Sequence, residues 1–157
     1  MATLKDLLRG DLIIADIKAI DKLGVIREFA AHVSAAGKVS DADELTRVLM
    51  ERESMGSTGI GDGVAIPHGK LHALGEVVVA FGRSRRGVDY QSLDDKPAYL
   101  FFLLITPEDT PGEHLKMLAR ISRILKNPVL REKLRTAPEC RELHQLILEE
   151  DSKYPQK

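Results

Sequence analysis

Apolar residues recur along the chain with a helical period in some stretches and as unbroken runs in others. Steps of three and four residues, typical of one face of a helix, occur over residues 21–36 and 40–53. The first predicted helix has the apolar set Leu23, Ile26, Phe29, Ala30 and Val33, and the second has Leu45, Val48 and Leu49. We expect Gly37 to end the first helix and Ser40 to cap the second.

The helical spacing returns in the C-terminal third of the chain. Pro111 opens a predicted helix whose apolar face also holds His114, and Asn127-Pro128 should end it. A short helix over residues 129–135 follows. Residues 136–139 then have the spacing of a capping box before a last helix with the stripe Leu143, Leu146 and Ile147.

Apolar runs predict strands at residues 12–15, 76–81 and 98–105. The last run is apolar throughout, as expected of a strand buried on both faces. Helices before, between and after these runs favour an α/β fold, a single domain with a mixed β-sheet flanked by helices. We assign residues 1–150 to this domain and residues 151–157 to a C-terminal tail that should fray.

Composition narrows the class of protein. The chain has 157 residues, 43% hydrophobic and 30% charged, which suits one domain with a sizeable core. The net charge of −1 argues against nucleic-acid binding, and the single Cys140 suits a reducing compartment. No apolar run approaches the length of a membrane span, and the N-terminus lacks the apolar core of a signal peptide. We therefore expect a cytoplasmic protein.

Residues 57–70 form a glycine-rich stretch that ends in a histidine between proline and glycine, His68. Ser57 and Thr58 stand at its entrance and could offer hydroxyl and N–H groups to an anion. The alternating glycines, Gly59, Gly61 and Gly63, fit neither the Walker nor the dinucleotide-binding spacing. On spacing alone the stretch could equally be a tight turn, and His68 a surface histidine.

Three side chains could surround one anion here. His68, mostly neutral at pH 7, can act as a nucleophile, and Arg52 can pair with phosphoryl oxygens. His114 would lie in the first turn of a helix, where anions are favoured. A core-edge histidine at position 114 and a solvated arginine at position 52 remain alternatives. Gly69 argues against a helical zinc pair of His68 and His72, so neither a metal nor a cofactor is predicted.

Residues 51–71 (ERESMGSTGIGDGVAIPHGKL) closely resemble the active-site segment of phosphotransferase-system IIA proteins of the fructose/mannitol class. The segment looks most like that of the nitrogen-regulatory branch, and Ile105-Thr106-Pro107 followed by His114 is similar to the family's second-histidine region. The resemblance implies a mixed sheet flanked by helices. It implies that His68 is phosphorylated, that His114 contacts the phosphoryl group and that Arg52 lies close by, with Ser57 and Thr58 at the loop entrance.

The resemblance also implies partners. The phosphoryl donor would be an HPr-type carrier, charged from phosphoenolpyruvate by enzyme I, and the regulated partners in the family include potassium-transport and sensor-kinase systems. Two alternatives stay open: a sugar-specific IIA component that passes phosphate to a IIB, and a module that binds partners without phosphate turnover. A predicted basic turn at Arg83, Arg85 and Arg86 is either solvated or a docking site for an acidic partner.

Overall fold

The computed structural model describes residues 2–155 and has one six-stranded mixed sheet. The strands are β1 (Ile13–Ile14), β2 (Gly59–Gly61), β3 (Val64–Ala65), β4 (His68–Leu71), β5 (Val78–Val88) and β6 (Ala98–Pro107). Their order is β1-β5-β6-β3-β2, and β4 also pairs with β6. β6 is antiparallel to β5 and parallel to both β3 and β4, which follow each other along its other edge.

Within the described part of the chain, six α-helices pack around this sheet. They are α1 (Leu4–Leu7), α2 (Lys22–Ala35), α3 (Ala42–Ser54), α4 (Pro111–Leu125), α5 (Pro128–Thr136) and α6 (Cys140–Asp151). α2 packs against α3 and β5, α3 against β4, and α4 against β6. The predicted fold class is therefore confirmed. No helix among residues 2–155 is both long and apolar enough to cross a membrane.

The core is centred on β6. Residues 100–107 of this strand are all buried, as the apolar run predicted, and the Phe102 ring meets the Phe81 ring of β5 at 4.9 Å between centroids. Because β6 has partners on both edges and side chains buried on both faces, it gives the residues at its carboxyl end a rigid support.

The predicted helix ends are partly right. Gly37 follows α2 with φ +77°, a conformation that favours glycine, so α2 ends as expected. The N-cap of α3 is Asp41, whose carboxylate accepts the Glu44 N–H at 3.1 Å, and not Ser40 one residue earlier. Leu23, placed on the buried stripe of α2, is 37% exposed.

Two C-terminal expectations are wrong. Thr136 does not cap α6: it is the last residue of α5, and its hydroxyl donates to the Glu132 carbonyl at 3.0 Å, while Glu139 is the N-cap of α6. Asp151, expected to begin a frayed tail, is buried and pairs with Arg120 at 2.6 Å. The Arg120 guanidinium also donates to the carbonyl of Asp151, the last residue of α6, and to that of Tyr154 beyond the helix, which fixes the chain as far as Tyr154.

The predicted basic turn is instead part of β5. Arg83 is fully buried, and its guanidinium donates to the carbonyls of Ala15 (2.8 Å), Leu134 (2.8 Å) and Arg135 (3.2 Å). The last two carbonyls belong to the final turn of α5, where the helix dipole favours a cation. The predicted turn is therefore wrong, and so is solvation of Arg83, which cannot form part of a surface for an acidic partner. Arg85 and Arg86 are exposed.

Candidate functional site

The carboxyl end of β6 brings two histidines together. His68 is the first residue of β4 and lies beside Leu104 of β6 in the parallel ladder. His114 lies in the first turn of α4, the helix that follows β6. The two ring centroids are 5.4 Å apart, and the ring planes are tilted by 56°. The structure therefore brings the two predicted histidines close together.

A backbone carbonyl orients the His68 ring. The Nδ1 atom lies 2.7 Å from the Ile66 carbonyl oxygen. A carbonyl only accepts, so Nδ1 carries the proton and Nε2 has the lone pair in the neutral ring. Burial lowers the pKa of His68, the charge of Arg52 lowers it further, and the Ile66 hydrogen bond and the charge of Glu53 oppose these effects. His68 is thus a neutral base at pH 7.

His114 is buried and bonded to a side chain. Its Nδ1 atom lies 2.7 Å from the hydroxyl of Thr106, a residue of β6. Burial, followed by the charges of His68 and Lys70, lowers the pKa of His114 to about 4. His114 is therefore neutral at pH 7 as well. The alternative of a histidine at the edge of the core is right in that His114 is buried.

Two cations lie near the imidazoles. Arg52, in the last turn of α3, donates from Nη1 to the Gly56 carbonyl at 2.9 Å and acts electrostatically on His68. Lys70 is two residues after His68 in β4, on the same face of the strand, and is exposed. Lys70 is not part of the predicted site, although the alternation of side chains along a strand after His68 points to it.

The glycine-rich stretch is a tight β2–β3 hairpin. Gly61 has φ +100° and Gly63 has φ +76°, with Asp62 between them at +57°. Gly59 faces Ser92, and a Cβ atom added there would lie 2.9 Å from the Ser92 Cα atom. Turn geometry and close packing account for these glycines, so their role as phosphate ligands stays a prediction.

Thr58, at the entrance of the glycine-rich loop, is hydrogen-bonded to the carboxylate of Glu53, a residue that the sequence did not single out. Thr58 donates both its N–H (3.0 Å) and its hydroxyl to Glu53. The Ser57 hydroxyl accepts the Gly59 N–H at 3.0 Å and lies 3.4 Å from Nζ of Lys22. The Thr58 donors that we expected to face an anion therefore hold the loop in place.

Comparison with known proteins connects this arrangement to one family. Residues 6–150 match the family model described as phosphoenolpyruvate-dependent sugar phosphotransferase system, EIIA 2. A nitrogen regulatory protein of Bradyrhizobium diazoefficiens is 36% identical over 144 residues, which are 90% of this chain and 92% of that protein.

One further relative and one solved structure match this chain over very different shares of their own length. The fructose-specific EIIABC component of Bacillus subtilis is 40% identical over 129 residues, but the match is 82% of this chain and only 20% of that protein. The crystal structure of nitrogen regulatory protein IIA-Ntr from Neisseria meningitidis is 30% identical with a TM-score of 0.85, and covers 92% of this chain and 98% of that one.

Proposed function

The chain belongs to the EIIA type 2 family of the phosphoenolpyruvate-dependent sugar phosphotransferase system, and we propose that it carries a phosphoryl group on Nε2 of His68. The observation that carries this proposal is the hydrogen bond between Nδ1 and the Ile66 carbonyl. It fixes the proton on Nδ1 and leaves the lone pair on Nε2, in a ring whose centroid is 5.4 Å from that of His114.

In the transfer step, Nε2 attacks the phosphorus atom of a phosphohistidine on the donor. A new Nε2–P bond forms as the donor N–P bond breaks, and the electron pair of that bond returns to the donor imidazole. The His68 ring gains positive charge, which the Ile66 carbonyl stabilises through the Nδ1–H group. This transition state needs in-line placement and charge stabilisation.

The neighbouring side chains supply that stabilisation. Arg52 offers a permanent cation for the phosphoryl oxygens, and Lys70 adds a second positive charge near His114. If the Thr106 hydroxyl donates to Nδ1 of His114, Nε2–H of that ring donates to a phosphoryl oxygen. The donor we propose is an HPr-type phosphocarrier in the cytosol.

The role of the phosphorylated chain is regulatory. The similarity to the two nitrogen regulatory proteins compared above extends over 90% or more of this chain and of each of them, whereas the fructose-specific EIIABC component of Bacillus subtilis matches over a fifth of its length. We propose that the state of His68 controls binding to partner proteins such as potassium-transport or sensor-kinase systems. A pure binding module would not require two neutral, mutually oriented imidazoles.

Labelling tests the phosphoryl site. With phosphoenolpyruvate, enzyme I and an HPr-type carrier, the wild-type protein should gain one acid-labile phosphoryl group, and His68→Ala should gain none. His72→Ala is the matched control, since His72 is exposed and four residues further along. ³¹P NMR should show the Nε2 isomer. Labelling of His68→Ala to the wild-type extent, or an Nδ1 isomer, would contradict the proposal.

A further inference from the structure

A buried carboxylate, bonded to Thr58 at the entrance of the glycine-rich loop, takes no part in the proposed transfer step. Glu53, the penultimate residue of α3, is 6% exposed. Its oxygens accept from the N–H and hydroxyl of Thr58, from the Tyr90 hydroxyl at 3.0 Å and from Nζ of Lys22 at 2.9 Å. Lys22 is itself 8% exposed. A buried carboxylate needs such donors to stay charged, so the four contacts depend on one another.

From Thr58, hydrogen bonds continue along the backbone to the His68 ring. The Thr58 carbonyl accepts the Ile66 N–H at 3.0 Å, and the Ile66 carbonyl lies 2.7 Å from Nδ1 of His68. Ile66 is therefore fixed at both its N–H and its carbonyl. The orientation of the His68 imidazole therefore depends on the position of Ile66. Hydrogen bonds link Ile66 to Thr58, and Thr58 to Glu53.

Glu53 also stabilises the turn that engages the arginine of the site. The Gly56 N–H donates to the Glu53 carbonyl at 3.0 Å, and the Gly56 carbonyl accepts from Arg52 at 2.9 Å. The six-residue segment from Glu53 to Thr58 is thus held by the Glu53 side chain at one end and by Arg52 in its middle. A shift of Thr58 would disturb both the imidazole and the guanidinium.

We propose that Glu53 is a positioning residue for phosphoryl transfer, which fixes the His68 imidazole through Thr58 and Ile66 and is itself held by Lys22 and Tyr90. The inference rests on the proposed function of His68. In-line transfer is sensitive to placement, and a displacement of about 1 Å can slow such a reaction by roughly 100-fold. The charge of Glu53 also raises the pKa of His68, against the effects of burial and Arg52.

Two variants and a control test the proposal. Glu53→Gln keeps the shape of the side chain and removes its charge, and Thr58→Val removes the hydroxyl but keeps the backbone N–H. The control is Asp151→Asn, which weakens the buried 2.6 Å pair with Arg120 between α6 and α4. The measurements are kcat and KM for phosphoryl transfer, and the tautomer of His68 by ¹⁵N NMR without any phosphoryl donor.

We expect Glu53→Gln to lower kcat by about 10- to 100-fold and Thr58→Val by several-fold, with KM for the carrier within about twofold of wild type. In both variants the ring should move from the Nδ1–H tautomer toward a mixture, whereas Asp151→Asn should keep the wild-type kcat and tautomer.

Folded variants with wild-type kcat and tautomer would overturn the proposal, and so would an equal loss of kcat in Asp151→Asn. If Glu53→Gln does not fold, Thr58→Val decides alone. A wild-type protein that is not phosphorylated on His68 would refute the proposed function instead, while the donor-free NMR measurement would still test the positioning.

Discussion

At the residue scale, the site depends on holding two imidazoles neutral and turned toward each other. Nδ1 of each ring is engaged, by the Ile66 carbonyl and by the Thr106 hydroxyl. Burial disfavours protonation of both rings. Neutral rings suit a nucleophile and its neighbour, and they make the free energy of unfolding depend on pH.

His114 should make the protein less stable in acid. Its pKa is about 4 in the folded protein and 6.5 when unperturbed, so between these values the unfolded state binds more protons. Stability is therefore lost as pH falls from 7 toward 4. Between pH 7 and pH 5 the wild-type free energy of unfolding should fall by roughly 2 kcal/mol more than that of His114→Gln. Urea unfolding at the two pH values measures this, and equal losses would contradict the lowered pKa.

At the scale of elements, arginines on neighbouring elements hold the C-terminal ends of helices. Arg131 donates to the Leu125 and Lys126 carbonyls at the end of α4, and Arg83 to two carbonyls at the end of α5. Arg120 donates to the Asp151 and Tyr154 carbonyls at the end of α6. Each guanidinium supplies donors to carbonyls that have no partner within the helix and sits at the negative end of its dipole.

Arg83→Met should therefore destabilise the fold. It leaves three carbonyls without their donor, of which only that of Leu134 is in a buried hydrogen bond. A buried unsatisfied group costs about 1–3 kcal/mol, so a loss of this size is expected in urea unfolding. The matched control is Arg86→Met, an exposed arginine of the same strand, which should stay within about 0.5 kcal/mol of wild type. Similar, small losses in both variants would show that Arg83 does not hold α5.

At the scale of the whole molecule, the mixed sheet allows two segments distant in sequence to meet. β4 runs parallel to β6, so His68 lies near the strand end from which the chain turns into α4 and His114. The proposed phosphorylation of His68 would add roughly two negative charges at this place, on a chain whose net charge is −1. A partner that docks over the site should distinguish the two states by about 1–3 kcal/mol.

A regulator should keep its phosphoryl group long enough for partners to sense it. Mixed with a purified fructose-type IIB, the phosphorylated chain should retain its label while the IIA domain of a fructose-specific component, the control, loses its own. Pull-downs with the phosphorylated protein and with His68→Ala should also recover different partners. Rapid transfer to the IIB together with identical partner sets would favour the sugar-transport alternative.

Features that follow from the local order of residues could be predicted from the amino-acid sequence alone. Period and apolar runs placed the long helices and the central strand, because helix and strand repeat their side chains every 3.6 and 2 residues. The segment over residues 51–71, through its resemblance to one family, singled out His68 and Arg52. These features need only the neighbours along the chain.

Which polar groups are buried together depends on how the whole chain folds. From the sequence, Arg83 is expected to be a surface residue. No sequence pattern indicates that Lys22 of α2, Glu53 of α3 and Tyr90 after β5 contact one another. Burying a charge is favourable only when donors from distant segments converge on it, and that convergence is set by how β5, β6 and the helices pack. For this reason the shell that orients His68 became visible only once the chain was folded.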